Sequence, residues 1–527
     1  MPGLFMVLIA SVAAIAAPAQ TRVSPSLVVG IVIDGLDVQY LEMLRPHFGA
    51  GGFNRLMRDG VMIANADYGT NVDATAATAM LMTGAAPWTT SVTGAVVYDP
   101  KTMLTVPAMH DPEAVGIATD RTYSPRSLNV STLADEVRIA GAGVGRVYSV
   151  APDPAQAILL AGHSANCAMW IDNHTGKWAS SGYYRDVPPM LAYINRMEPL
   201  AIRLDTVQWT PLRDAQAYAN LPEHLTHYPF RYIFARGNEA RFEMFEASPM
   251  VNAEVTDIAG RLIGEVKLGE SGSLDMLNLA YTVQPYDYTR SDDNRYELLD
   301  SYLRLDADIA RLFNTVEQRV GEGNAVFFVA ATPPRGRTRR DDEKWGIPYG
   351  EFSSKKAKSL LNMYLIAVYG NGEWVQSFHD GTFYLNHKLI EEHNLQPRDV
   401  REKAAAFLSM MSGVDHVYTL DEVVGGRGDA RLEAMRRNSH PSASGDLIVE
   451  VDPGWEVVDD IVTPAREDRV RYVKRIAAAT APVFILAPGV DSRLIDTPVD
   501  VRTVAPTVAR LLRIRSPNGA ALPAIIL

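Results

Sequence analysis

Two stretches of the sequence carry side chains that could do chemistry together. Asp34 directly follows the apolar run at residues 27–33, and residues 71–79 have the composition of a helix start, with Asp73 as its N-cap. A carboxylate at the carboxyl edge of a buried strand is a recurrent first metal ligand, because open α/β sheets bind ligands at that edge. A metal-assisted reaction would then need a nucleophile at the helix start. Ala74, the first residue of this predicted helix, has no oxygen with which to attack.

Alternating apolar and amphipathic segments supply the elements that would position these residues. Helices are predicted at residues 38–45, 53–59, 294–320 and 501–512, and one more from an N-cap at Ser131 or Thr132 to residue 140. Strands are predicted at residues 146–150, 325–331 and 481–486. Strands that alternate with helices indicate an α/β fold around a mostly parallel sheet.

Composition excludes some partners. The chain has 527 residues, a net charge of -12 and a pI near 5.5. Because phosphate backbones select basic protein surfaces, we expect no nucleic-acid partner. The one cysteine, Cys167, lies in an apolar run and is predicted to be a buried, inert thiol.

The N-terminus indicates export. Residues 4–17 are apolar or small, and Ala17-Pro18-Ala19 has the pattern of a signal-peptidase site. We therefore predict a signal peptide at residues 1–19, a mature chain without a transmembrane span, and a periplasmic or extracellular location in a bacterium. The alternative is a buried N-terminal helix.

Several further motifs stand in a familiar order along nearly the whole chain. They include Thr83-Gly-Ala-Ala-Pro87, Ala161-Gly-His-Ser-Ala-Asn166, Ser301-Tyr-Leu-Arg-Leu-Asp306, Pro453-Gly-Trp455 and Pro517-Asn-Gly519. Together with Asp34 they resemble the alkaline phosphatase superfamily, and most closely its exported bacterial phosphomonoesterases, which use a threonine nucleophile and two zinc ions. The resemblance implies a three-layer α/β sandwich over residues 20–527, with cap insertions at about 154–286 and 345–440. It also implies that His163 is structural.

The resemblance places the catalytic positions on unsuitable residues. The nucleophile aligns with Ala74, and only a one-residue slip would place it on Thr75. The asparagine that contacts the phosphoryl group aligns with Ala95, and a lysine and an arginine align with Pro152 and Pro154. Neither proline can donate a hydrogen bond to a phosphoryl oxygen.

The implied metal ligands are mostly replaced as well. Asp34 and Asp287 keep a ligating side chain, whereas the other ligand positions hold Ser291, Ala331, Thr332 and Thr480. Zinc centres need three or four donors each, so two carboxylates are too few. Asp34 and Asp287 are then either relics, which N-cap the helix that follows or bond to backbone amides, or a site for calcium or magnesium, which Asp73 and Thr75 would join. His224 and His227 do not form a zinc motif and are predicted to lie in a loop.

Two functions follow from these substitutions. The first is a catalytically inactive member of the superfamily, for which we expect no cofactor. It would serve as a binding or scaffold protein of the cell envelope. Its partner would be an envelope protein, a glycan or a phosphate-bearing ligand. The alternative is an active metal-dependent phosphomonoesterase or phosphodiesterase. Its rebuilt site would use Thr75 as nucleophile, one metal such as zinc on Asp34 and Asp287, and cationic help from arginines in residues 335–340.

Overall fold

The computed structural model of the protein describes residues 25–70, 72–100, 102–214, 230–288, 295–334, 346, 349–426, 428–462, 467–473 and 479–527. The predicted signal peptide, Ser291, both histidines at 224 and 227, and the arginines of residues 335–340 lie outside these ranges.

The strands alternate with helices along the chain. The strands are β1 Leu27–Asp34, β2 Val61–Asp67, β3 Val96–Asp99, β4 Leu104–Pro107, β5 Gly116–Ile117, β6 Val147–Val150, β7 Cys167–Ile171, β8 Trp178–Ser181, β9 Gln208–Trp209, β10 Tyr232–Ile233, β11 Asp275–Thr282, β12 Ala325–Thr332, β13 Gly350–Ser353, β14 Val375–His379, β15 Thr382–Leu385, β16 Val414–Thr419, β17 Leu447–Val451, β18 Trp455–Val462, β19 Glu467–Val473, β20 Thr480–Leu486, β21 Arg493–Ile495 and β22 Val499–Asp500. The helices are α1 Val38–Leu44, α2 Phe53–Asp59, α3 Ala74–Thr83, α4 Pro87–Thr90, α5 Leu133–Ala140, α6 Pro154–Ala161, α7 Pro189–Met197, α8 Leu200–Arg203, α9 Arg241–Glu246, α10 Met250–Glu265, α11 Arg295–Val320, α12 Ser354–Tyr369, α13 His387–Glu392, α14 Pro397–Leu408, α15 Leu420–Gly425, α16 Ala430–Arg437 and α17 Val504–Leu512.

A large mixed sheet forms the centre of the fold. Its described strands lie in the order β21-β2-β20-β12-β1-β11-β6-β7-β8-β5, with β22 beside β2. The strands β12, β1, β11, β6 and β7 are parallel, whereas β20 runs antiparallel to both of its neighbours. The fold is therefore α/β with a mostly parallel sheet, as the sequence predicts.

Two sets of helices cover the sheet. Helices α10 and α11 pack on each other and on the central strands, with α1 and α2 beside α11. The second set consists of helices α3, α5, α6 and α17, which pack together. Helix α3 contacts β12, and helices α5 and α6 contact β11. Because the parallel strands are apolar on both faces, each face has to be covered by helices. The eight residues of β12, for example, are all buried.

The elements from β13 to β19, here called the second lobe, have a hydrophobic core of their own. A four-stranded sheet in the order β14-β15-β17-β16 packs with α12 and α14 around Trp374, Phe383 and Leu447. The β14–β15 turn is formed by Asp380 and Gly381, whose φ angles are +45° and +76°. Two consecutive left-handed residues are typical of a type I′ hairpin turn. The boundaries of the two predicted insertions stay a prediction.

Between α6 and β11 the chain leaves the regular strand–helix alternation. The two-stranded ribbon of β9 and β10 packs Trp209 against Phe230, Tyr232 and Tyr286, with ring centroids 5.0–5.3 Å from the Trp209 ring. Across the described ranges, no helix combines the length and apolar character that a membrane span requires.

Candidate functional site

Asp34 lies at the carboxyl edge of the central sheet, as predicted for a ligand site. Its register partners on the two neighbouring strands are Thr282 and Thr332. The Thr332 hydroxyl donates to Asp34 Oδ1 at 2.6 Å, and the Gln284 side-chain amide donates to the same oxygen at 3.1 Å. The carboxylate is thus held by two protein donors.

The other implied metal positions that the structure describes do not complete a zinc centre with Asp34. Ala331 is fully buried, and its side chain has no atom that could bind a metal. The Thr332 hydroxyl donates to Asp34. Asp287 lies in an exposed turn, three residues after Gln284, and Thr480 is a half-buried residue at the start of β20. Within the described ranges, no group of three or more His, Cys, Asp or Glu side chains is arranged to hold a metal ion. The described residues therefore do not fit the two-zinc centre that the resemblance implies.

The start of α3 is closed by the chain's own carboxylate. Asp73 is the N-cap, and its Oδ1 accepts from the Ala76 amide at 2.8 Å. Its Oδ2 accepts from the Ala95 amide at 2.6 Å. A helix N-terminus and neighbouring amides form a ready site for an anion, and here Asp73 supplies that anion. Thr75 is the second helical residue and is only 6% exposed.

The pKa of Asp73 lies above the ordinary value of an aspartate. Crowding by the surrounding protein, with a smaller contribution from the negative charge of Asp380, raises the pKa of Asp73 to about 6, although the side chain opens to solvent. The amides of Ala76 and Ala95 act in the opposite direction, because they stabilise the ionised form.

A second carboxylate stands between the two prolines that replace the cationic pair. Asp153 is the N-cap of α6 and accepts from the Gln156 amide at 3.0 Å. Desolvation by the surrounding protein and the negative charge of Asp34 raise the pKa of Asp153, although its side chain opens to solvent, while Arg121 opposes this rise. Because the charge of Asp34 acts on Asp153, the end of β1 and the start of α6 bring two carboxylates into one region.

Arg121 is a basic group of this region, because its charge acts on both Asp153 and Glu246. Its Nη2 lies 2.5 Å from His174 Nε2. Burial and the charge of Asp153 raise the pKa of Glu246 well above its ordinary value, and Arg121 again opposes the rise. The sequence did not single out Arg121, Glu246, Asp153 or Gln284, because each acts through a neighbour that is distant in the chain.

Two further residues, His163 and Cys167, are predicted from the sequence to be structural or inert. The His163 ring contacts Asp135 Oδ2 at 3.1 Å through Nδ1 and the Leu128 carbonyl at 3.0 Å through Nε2. This hydrogen bond to Asp135 raises the pKa of His163. Cys167 is buried and free, and burial raises the pKa of its thiol to about 12.

Comparisons with known proteins agree with this architecture. The sequence profile of the type I phosphodiesterase / nucleotide pyrophosphatase family matches residues 28–472. The chain is 25% identical over 515 residues to alkaline phosphatase PafA of Elizabethkingia meningoseptica, covering 94% of this chain and 93% of that one. It is 26% identical over 533 residues to alkaline phosphatase PhoV of Synechococcus elongatus, covering 95% and 92%. A crystal structure of a PafA variant with four substitutions superimposes with a TM-score of 0.83 at 25% identity, over 95% of this chain and 98% of that chain.

Proposed function

We propose that this chain, which belongs to the type I phosphodiesterase / nucleotide pyrophosphatase family, is a member that has lost catalysis and binds a ligand or partner instead. The observation that carries the proposal is the start of α3. Ala74 has no hydroxyl, and the amides of Ala76 and Ala95 already donate to the Asp73 carboxylate. A phosphoryl group at this position would lie against a negative charge and would find no nucleophile.

The environment of Asp34 supports the same proposal. In a metal-dependent phosphatase the metal generates the nucleophile and stabilises the leaving oxygen, so its ligands must converge on one point. Here Thr332 and Gln284 both donate to Asp34 Oδ1 at hydrogen-bond distances, so protein groups already occupy one oxygen of this carboxylate. Removing one donor from an oxyanion site typically costs about 10²–10³ in kcat, and this chain lacks the asparagine and both cations together.

The experiment is a hydrolysis assay on the mature protein with p-nitrophenyl phosphate and bis-p-nitrophenyl phosphate, before and after dialysis against zinc. We expect no turnover that depends on the protein, and no stoichiometric zinc by elemental analysis. Asp34→Ala is the matched variant, because a contaminating phosphatase would give the same rate in both preparations. Zinc-dependent turnover that disappears in Asp34→Ala would refute the proposal.

A rebuilt active site has its own test. If Thr75 were the nucleophile, Thr75→Ala would abolish hydrolysis. The 6% exposure of Thr75 inside α3 argues against attack by its hydroxyl, and we expect Thr75→Ala to behave like the unmodified protein.

We also propose that the protein works in the bacterial envelope, in the periplasm or outside the cell, after removal of residues 1–19. The Ala17-Pro18-Ala19 pattern supports this proposal, and the cap segments at about 154–286 and 345–440 would then surround the binding cleft. N-terminal sequencing of the protein from the periplasmic fraction should begin at residue 20. A chain that still begins at residue 1 in the cytoplasmic fraction would contradict this location.

A further inference from the structure

We propose that the outer face of α12, in the second lobe, docks the protein on a membrane surface that contains anionic lipids. The inference goes beyond the proposed loss of catalysis and rests on the proposed location in the envelope, where membrane surfaces are present. The docking surface, here called the α12 patch, consists of Leu360, Met363, Val368 and Met410, whose side chains are between 39% and 76% exposed.

The second half of α12 is apolar almost all round. Its residues 360–369 are Leu-Leu-Asn-Met-Tyr-Leu-Ile-Ala-Val-Tyr, with a single polar side chain. Leu361 and Leu365 are buried in the core of the second lobe, whereas Met363 and Ala367 are exposed. A helix at a protein surface normally has polar residues on its outer face, and a helix that is apolar on every face is normally buried. The outer face of α12 therefore has the composition of a covered surface.

Helix α14 extends this surface beyond α12. The rings of Tyr364 on α12 and Phe407 on α14 are stacked, with centroids 4.5 Å apart and 12° between their planes. Met410 follows α14, and its amide donates to the Phe407 carbonyl at 3.2 Å. The Lys403 ammonium lies 4.9 Å from the ring centroid of Tyr369, so the two helices run antiparallel. The apolar surface thus spans two helices rather than one exposed side chain.

The charges of α12 favour an anionic partner. The helix contains three lysines and no acidic residue. Lys358 donates to the Gln376 carbonyl at 2.7 Å, whereas the exposed Lys355 and Lys356 have no partner among the described residues. Both lie in the first turn, where the positive end of the helix dipole disfavours a cation. Their positions do not stabilise the helix, but they do provide positive charge for an external anion.

These charges and the apolar side chains share one face. Lys356, Leu360 and Met363 are spaced i, i+4 and i+7, which places them in one row along the helix. Lys403 supplies a further exposed ammonium group at the other end of this row. Lysines beside exposed apolar side chains on a helix are typical of a surface that binds anionic lipids, because the ammonium groups attract the headgroups while the apolar groups enter the interface.

The small extent of the patch favours a membrane over a second copy of this chain. A stable protein interface involves about 20–30 residues on each side, and the α12 patch offers four exposed apolar side chains. A bilayer requires no complementary shape, and each apolar side chain that enters it adds to the binding. Because the chain as a whole has a net charge of -12, we expect an anionic membrane to contact only a face with local positive charge.

The test is cosedimentation of the mature protein with vesicles of equal parts phosphatidylglycerol and phosphatidylcholine, and with vesicles of phosphatidylcholine alone. Met363→Ser removes an apolar side chain that is 65% exposed, and Lys356→Gln removes an exposed charge, so neither disturbs the core. The matched controls are Met197→Ser on α7, where the side chain is 57% exposed, and Lys177→Gln in the β7–β8 turn.

We expect binding to the anionic vesicles that is at least about tenfold tighter than to phosphatidylcholine and that weakens as salt is added. Binding should be about tenfold weaker for Met363→Ser and about fivefold weaker for Lys356→Gln, because each removes one of the two contributions. Both controls should bind like the unmodified protein. Equal binding to the two kinds of vesicle, no binding to either, or unchanged binding by Met363→Ser and Lys356→Gln would overturn the inference.

Sedimentation without lipid tests the other occupant of the patch. We expect the same sedimentation for the unmodified protein and for Met363→Ser. A dimer that Met363→Ser dissociates would show that a second copy covers the patch, and would overturn the inference. Vesicle binding requires neither turnover nor export of the purified protein. Its absence therefore overturns the docking surface alone, and zinc-dependent hydrolysis removes only the claim of lost catalysis.

Discussion

The hydrogen bond between Thr332 and Asp34 should stabilise the fold in place of a metal ion. Thr332 is fully buried, and its hydroxyl lies 2.6 Å from Asp34 Oδ1, a normal length for a hydroxyl that donates to a carboxylate. Thr332→Val keeps the branched shape and removes the donor. Since a hydrogen bond to a charged group contributes about 1.5–3 kcal/mol, we expect the free energy of unfolding to fall by about 2 kcal/mol.

Urea unfolding of the variants measures this effect, and Thr282→Val is the control. Thr282 stands at the same level on the other neighbouring strand, and its hydroxyl accepts only a 3.3 Å hydrogen bond from the Gln284 amide. We expect a loss below about 1 kcal/mol for Thr282→Val, as for an ordinary neutral hydrogen bond. A double-mutant cycle with Asp34→Asn isolates the pair, and the coupling should exceed the error of about 0.5 kcal/mol within which independent sites add.

Zinc provides the second arm of this experiment. A metal that binds only the folded state at 100 times its Kd raises the unfolding free energy by about 2.7 kcal/mol. We expect the same unfolding curve in excess zinc and in EDTA, for the unmodified protein and for Thr332→Val alike. A coupling near zero between Thr332 and Asp34 would refute the stabilising hydrogen bond, and zinc stabilisation that Asp34→Asn removes would show that the carboxylate binds a metal.

Three further predictions concern the core around these elements. Cys167 should not react with a thiol reagent at about pH 8 until urea unfolds the chain, because burial keeps its pKa near 12; reaction in the folded state would contradict its burial. Asp135 raises the pKa of His163 above its ordinary value of 6.5, so the unmodified protein should exceed His163→Gln in stability by the largest margin below pH 6.5. This margin should decline as the pH rises through the folded-state pKa, and urea midpoints across pH would measure it. A margin that grew with pH would refute this assignment. Gly162 has φ +69° and would place a Cβ 2.2 Å from a side-chain oxygen, so Gly162→Ala should lose more than about 2 kcal/mol in urea unfolding, whereas Gly264→Ala, in open space on α10, should gain about 0.5–1 kcal/mol.

Sequence patterns predicted most of the fold because they reflect local preferences. The apolar face of residues 294–320 predicted the helix that runs from Arg295 to Val320, and the capping signals predicted α5, where Thr132 is the N-cap. The segment that forms β20 was also predicted as a strand, but hydrophobic periodicity does not encode strand direction. Its antiparallel pairing with β2 and β12 follows from the path of the chain.

The candidate site was less predictable, because its contacts join distant parts of the chain. The sequence indicated that Thr332 is not a metal ligand, but not that its hydroxyl would bond to a carboxylate 298 residues away. The sequence already showed Pro152 and Pro154 at the positions where the resemblance implies a lysine and an arginine. The carboxylate between them, Asp153, became informative only through its proximity to Asp34 and Arg121. A side chain's local type predicts which bonds it can make, whereas the fold determines its partner.

The helices α3 and α6 share one feature at their N-termini. Each helix N-terminus attracts an anion, and in each case the chain supplies that anion itself, through Asp73 and Asp153. An external phosphate would have to displace a carboxylate that is covalently held beside the amides. The charge of Asp380 contributes to the raised pKa of Asp73, and the charge of Asp34 contributes to the raised pKa of Asp153. A phosphate ester at either helix end would add a second negative charge beside the first, which is unfavourable at both positions.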